Sequence, residues 1–199
     1  PKHRWKVCPE CQQRMKEEGL KDEHELQSYF MKRVEKYLSE KHGRSIIGWD
    51  EILEGGVSKT ATVMAWRGAQ RGILAAKLGN QVIMTPRHYC YLDYCQTSDH
   101  DGNNEPICAA GNGKKYQLPL RKVYSLDPYN ELNEEQRKVI VGVQGNMWTE
   151  YVATFDHVQH MILPRTAAIA EVGWSYGNQN YDDFARRMHL LRKLYDKCG

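Results

Sequence analysis

No apolar run in this 199-residue chain approaches the roughly 20 residues that a membrane-spanning helix needs. Nor does it hold a cleavable leader with a basic start and an apolar middle. The first residue is Pro1 rather than Met, so the terminus carries no information about an upstream leader. Cysteine is sparse. Cys8, Cys11, Cys90, Cys95, Cys108 and Cys198 permit individual bridges in an exported protein, but not a scaffold that depends on them. A net charge of only +3, spread along the chain, provides no basic stripe, and nucleic acid is not an expected partner.

What is present is ordinary globular composition, 41% hydrophobic and 27% charged, enough for one core-bearing domain. Five Trp and twelve Tyr stand against three Phe. Trp and Tyr add a polar handle to an apolar face, which suits sites where stacking and hydrogen bonding occur together, as on a sugar ring.

Along the chain, Pro1 to Gln12 has no clear period and reads as a loop. Within it Cys8-Pro9-Glu10-Cys11 has half the spacing of a zinc site. Without two further ligands it reads as a turn or a local redox pair, so no metal and no cofactor are expected. From Asp22 to Lys41 apolar residues recur at helical spacing and the segment ends at Gly43, a left-handed cap. His24 and His42 at its ends read as solvated. Strands are expected at Ser45–Gly48, Thr62–Ala65 and Gln81–Met84, with a helix from Ala69 to Leu78 between the last two. This alternation is that of parallel βα units. Residues 85–132 carry no long periodic segment and read as a functional loop region. A short helix at Glu134–Lys138 leads into the strand IVGVQ. A long helix kinked at Pro164 follows over Asp156–Val172, packing through Ala167, Ala168 and Ala170. A last helix spans Tyr181–Lys197 with Phe184, Met188, Leu191, Leu194 and Tyr195 on one face.

Each of the four apolar runs delivers an aromatic or an acid. Ser45–Gly48 leads into Trp49-Asp50-Glu51, Thr62–Ala65 into Trp66, Gln81–Met84 into Tyr91-Leu92-Asp93, and Ile140–Asn146 into Trp148-Thr149-Glu150. Parallel barrels load the carboxyl ends of their strands in this way. If the strands are parallel and adjacent, Trp49, Trp66, Tyr91, Asp93, Trp148 and Glu150 gather at one mouth. In an extended segment Tyr91 and Asp93 would point to the same side. The bland alternative is that each Trp is a core residue and each acid a helix cap. Asp50 and Glu51 are adjacent, so they would not straddle one glycosidic bond as a catalytic carboxylate pair does. Glu51 reads as a structural charge at the start of a helical turn.

IIGWDEILEGG, TVMAWRG, Tyr91-Leu92-Asp93, VQGNMWTE and the opening PKHRWKVCPECQ resemble, in order, the second half of the catalytic domain of family 20 glycoside hydrolases, the β-N-acetylhexosaminidases. The resemblance implies an α/β fold of the (β/α)8 barrel type, here a partial barrel of strands five to eight in one domain over residues 1–199. It implies removal of terminal N-acetylhexosamine from glycans with retention, the substrate's acetamido group acting as nucleophile, an exception to the two-carboxylate scheme. By that resemblance Tyr91 is catalytic and stabilises the oxazolinium intermediate. Trp49, Trp66 and Trp148 wall the sugar site, and Asp93 and Glu150 bind hydroxyls. The family's Gly-Gly-Asp-Glu motif, which supplies the proton donor, has no match here; Gly55-Gly56 is followed by Val57-Ser58. No Trp stands between Gln96 and Asp127 to serve an outer subsite.

The expected partners are an N-acetylhexosamine glycan, the missing N-terminal half of the barrel and a second copy of the chain. The expected compartment is periplasmic or extracellular. Two other classes remain open: a carbohydrate-binding protein without catalysis, and a zinc-stabilised interaction module built on Cys8 and Cys11.

Overall fold

The computed structural model describes residues 2–97, 108, 110, 111, 114, 115 and 117–198. Helices α1 (Lys2–Trp5), α2 (Pro9–Glu17) and α3 (Glu23–His42) are followed by β1 (Ile47–Trp49), a 3-10 turn (Asp50–Leu53), β2 (Thr62–Ala65), α4 (Ala69–Lys77) and β3 (Val82–Met84). Next come α5 (Arg87–Cys90), α6 (Leu120–Tyr124), α7 (Glu134–Arg137), β4 (Ile140–Val143), α8 (Phe155–Ile162), α9 (Arg165–Trp174) and α10 (Tyr181–Cys198). A short antiparallel pairing joins Ala110–Gly111 to Lys114–Lys115. The main sheet has the order β1-β2-β3-β4, and β1, β2 and β3 are mutually parallel.

The chain divides into two compact units, Pro1–Met84 with Tyr129–Val141, and Thr85–Pro128 with Gly142–Gly199. In the first unit the register Trp49↔Met64 and Met64↔Ile83 puts these three side chains on one face of the sheet. Val63, Ala65, Val82 and Met84 occupy the other face and are fully buried, as are Ile73 and Ala75 of α4. Burial of the last six side chains is the main cohesive term of this unit, at roughly 25 cal/mol per Å² of apolar surface. The Trp49 face is left open: Ile47 and Val141, at opposite edges of the sheet, are 59% and 52% exposed.

Helix α3 begins where Asp22 accepts the amides of His24 and Glu25, both at 2.9 Å, and ends at Gly43 with φ 60°. Its apolar stripe is less buried than its periodicity predicts, with Phe30 and Tyr37 exposed. Polar contacts attach it instead: Ser28 donates to Gly56 O, and buried Glu35 accepts from Thr60 Oγ1 at 2.5 Å. Gly55, with φ +79°, allows the turn after β1 to touch α3. A Cβ there would fall 2.1 Å from the carbonyl oxygen of His24.

The second unit packs Leu92, Tyr94, Leu118, Val123, Tyr124, Ala168, Ile169 and Phe184 together. The rings of Tyr124 and Phe184 lie 4.8 Å apart, and the Tyr124 hydroxyl donates to Glu171 at 2.8 Å. A disulfide joins Cys95 and Cys108, while Cys8, Cys11 and Cys90 are free. Among the described residues no helix is long and apolar enough to cross a membrane, and no three His, Cys, Asp or Glu side chains are placed to hold a metal ion.

The structure corrects three expectations. The opening segment is not a loop: Pro9 stands at the first position of α2, where its missing N–H costs nothing, so this proline starts a helix. The helix expected over Asp156–Val172 is broken rather than kinked. Leu163 and Pro164 separate α8 from α9, since Pro164 has no N–H to continue the ladder, and Ala170 faces solvent. Tyr91–Asp93 is not extended. Tyr91 follows α5 directly and Leu92 and Asp93 form a turn, so the alternation that would place Tyr91 and Asp93 on one side does not operate.

Candidate functional site

In the first unit, β1 and β2 end side by side, and the residues just past them are locked together. Asp50, with no exposed surface, accepts the backbone amides of Trp66 at 2.9 Å and Arg67 at 3.0 Å, and also the Nε of Arg67. The Arg67 Nη1 continues to Glu54 at 2.6 Å. Glu54 also pairs with Lys2 and lies 3.3 Å from His24 and 3.7 Å from Arg71. The contact with Lys2 and the Arg67 guanidinium together hold the Glu54 carboxyl down at about 2, against the cost of its burial. Glu51 accepts the indole N–H of Trp66 on both oxygens, at 3.0 and 3.2 Å. Trp49 and Trp66 are half-buried.

In the second unit, Asn146 ends the β4 run and ties it to the Tyr91 turn. Its N–H donates to Cys90 O at 2.8 Å and its carbonyl accepts from Leu92 N at 2.7 Å. Its buried side chain donates to Thr85 Oγ1 and accepts from Gln144 at 2.7 Å. This backbone pairing sets the rings of Tyr91 and Trp148 6.1 Å apart, inclined by 56°. Trp148 is 39% exposed and Glu150 is exposed. Asp93 is 7% exposed, and its Oδ1 has no hydrogen-bond partner among the described residues. Burial pushes the Asp93 carboxyl up to about 6. Its own backbone amide opposes the rise, the charge of Glu150 adds to it, and Arg165 offsets part.

Arg165 has no exposed surface. Its guanidinium donates to the carbonyls of Met161, Leu92 (2.5 Å), Tyr94 (2.8 Å) and Leu118 (3.1 Å), and so fixes the turn on either side of Asp93. A buried cation surrounded by carbonyl oxygens in this way is a fastener of loop backbone.

Trp49, Trp66 and the Asp50-Glu51 pair thus stand at the carboxyl ends of parallel strands. Residues 1–177 match the model of the glycosyl hydrolase family 20 catalytic domain. The chain belongs to that family. It is 46% identical over 191 residues to a beta-hexosaminidase of Porphyromonas gingivalis, covering 94% of this chain and 23% of the relative. It is 34% identical over 172 residues to a beta-hexosaminidase of Vibrio furnissii, covering 85% and 27%. Among solved structures, a GH20 exo-β-N-acetylglucosaminidase of Vibrio harveyi in complex with N-acetylglucosamine superposes with a TM-score of 0.83 at 30% identity, covering 96% of this chain and 29% of that one. The β-N-acetylhexosaminidase of Bacteroides fragilis superposes at 0.81 with 26% identity, covering 100% and 40%. The chain thus spans about a quarter of the two sequence relatives, and its fold is a partial (β/α)8 barrel.

Within this family 20 portion, Trp49 is the last residue of β1, and the other five residues singled out from the sequence lie past strand ends or in the turn after α5. The structure brings Trp49 and Trp66 together with the Asp50-Glu51 pair in one unit, and Tyr91, Asp93 and Trp148 together in the other. Glu150 reaches Asp93 through its charge. The loop region 85–132 holds α5, α6 and the Ala110–Lys115 pairing, while residues 98–107 lie outside the described residues. Sequence reasoning missed the pairing of buried Asp50 with half-buried Arg67, and Arg165 entirely.

Proposed function

We propose that this chain is the acetamido-binding and sugar-binding half of a β-N-acetylhexosaminidase that removes terminal N-acetylhexosamine with retention, through an oxazolinium intermediate formed by the substrate's own acetamido group. The observation that carries the reading is the Tyr91–Asp93 turn. A phenol stands beside a partly exposed indole, and a buried carboxylate keeps one oxygen free to accept a hydrogen bond. In this reading Tyr91 donates to the acetamido oxygen and stabilises the positive charge that develops on the ring. Trp49, Trp66 and Trp148 supply apolar walls. Asp93 and Glu150 accept sugar hydroxyls, each such charged bond being worth roughly 1.5–3 kcal/mol. An oxidising compartment, periplasmic or extracellular, fits the Cys95–Cys108 disulfide.

General acid catalysis is assigned to the Gly-Gly-Asp-Glu motif, which these 199 residues do not contain. The purified chain is therefore expected to bind N-acetylglucosamine without turning over a chromogenic N-acetylglucosaminide. Asp93→Asn and Tyr91→Phe are each expected to weaken that binding about tenfold or more. Robust turnover by the chain would overturn the assignment of the acid. Saturable binding unaffected by either substitution would overturn the site.

A further inference from the structure

Asp50 and Glu51 look at first like an acid–nucleophile pair, and the geometry gives them another task. They occupy the first two positions of a 3-10 turn, where successive side chains diverge by about a third of a revolution. Despite that divergence both carboxylates end on the same residue. Asp50 takes the backbone N–H of Trp66 at 2.9 Å, and Glu51 takes its indole Nε1–H, 3.0 Å from one oxygen and 3.2 Å from the other.

We propose that the Asp50-Glu51 pair is a two-point holder of Trp66, with Glu51 the positioning residue that sets the plane of its indole against the sugar. The assignment rests on the reading of Trp66 as a wall of the sugar site. A tryptophan has two polar handles, the main-chain amide and the ring N–H, and the ring N–H can only donate. Fixing both restricts the two side-chain torsions that otherwise let a half-buried indole swing. The ring bond is charge-assisted and thus stronger than one to a neutral acceptor.

The holder is itself braced. The carbonyl of Glu51 accepts from Gln27 Nε2 of α3 at 3.0 Å, and Arg67 neutralises Asp50, which has no exposed surface. Glu51, by contrast, is only partly buried, so its carboxylate can be altered without leaving a charge stranded in the interior.

The test is nuclear magnetic resonance on the chain labelled with 15N at its tryptophan indoles, Trp66→Phe identifying the resonance. With Glu51→Ala, hydrogen exchange at the Trp66 indole is expected to speed up at least about tenfold, as a lost protecting bond requires. N-acetylglucosamine affinity is expected to fall at least about fivefold. Glu51→Gln, whose amide oxygen still accepts the ring N–H, is expected to restore both, a rescue that a general loss of folding would not show. In the unmodified chain the Trp66 indole is expected to exchange at least about tenfold more slowly than that of Trp174, which is 91% exposed, and this decides the matter even if the alanine variant fails to fold. A Trp66 indole that exchanges as fast as that of Trp174, or whose exchange is indifferent to Glu51→Ala, overturns the holder. A chain that shows no sugar response at all overturns the sugar reading instead, and the exchange results still decide the holder.

Discussion

The Nη2 of Arg165 lies 2.5 Å from the carbonyl oxygen of Leu92, the residue immediately before Asp93. The same guanidinium reaches the carbonyl of Tyr94, the residue immediately after it. The acidic turn is therefore clamped on both flanks by a side chain that comes from the first position of α9.

Replacing Arg165 by Met keeps much of the volume but leaves the carbonyls of Leu92, Tyr94, Leu118 and Met161 short of a donor. Each buried group so stranded costs about 1–3 kcal/mol before relaxation. Arg165→Met is expected to destabilise the chain by roughly 3–5 kcal/mol. Arg165→Lys is not expected to rescue it, because an ammonium lacks the planar fork that reaches several carbonyls. Urea denaturation of the two variants against the parent checks both statements.

Asp93 and Glu54 have opposite effects on the pH dependence of stability. The Asp93 carboxyl, raised by burial from 3.8 to about 6, stays protonated in the fold while the unfolded chain ionises. Stability is therefore lost as pH rises from about 4 to about 6. Glu54, lowered from 4.5 to about 2 by Lys2 and Arg67, contributes stability that is present above 4.5 and is lost as pH falls towards 2. A denaturation series from pH 2 to pH 7 is expected to rise and then decline. Asp93→Asn is expected to abolish the decline alone. Glu150→Gln removes a charge that raises the Asp93 value and is expected to move the decline to lower pH.

Asp50 is buried against Arg67 and two backbone amides. Asp50→Ala leaves the guanidinium without that carboxylate and is expected to cost roughly 3–5 kcal/mol. Asp50→Asn keeps an acceptor for the amides and is expected to cost less. Thermal unfolding of the two variants separates the loss of charge from the loss of hydrogen bonds.

The sheet face of the first unit that carries Ile47 and Val141 is uncovered. Exposed apolar sheet surface of this kind draws chains into association. Light scattering of the chain is expected to report dimers or larger species, and Ile47→Lys with Val141→Lys is expected to shift the distribution towards monomer. A compact monomer in the parent chain would overturn this expectation.

The sequence by itself determined the βα alternation, the position of each central strand to within two residues, and the family. Strand cores are apolar runs with sharp ends, and the residues at or beyond those ends, Trp49, Trp66, Trp148 and Glu150, could be named from order alone. The ends of α3 were equally legible, because Asp22 and Gly43 act on backbone groups within a few residues of themselves. Only the tertiary structure decided what the acids and the buried cation do. Asp50 meets Arg67 across seventeen residues, Asp93 takes its raised pKa from burial, and Arg165 finds carbonyls more than seventy residues away. No local period encodes such pairings: a charge becomes a holder, a clamp or an acceptor only once folding has removed its water and chosen its neighbours.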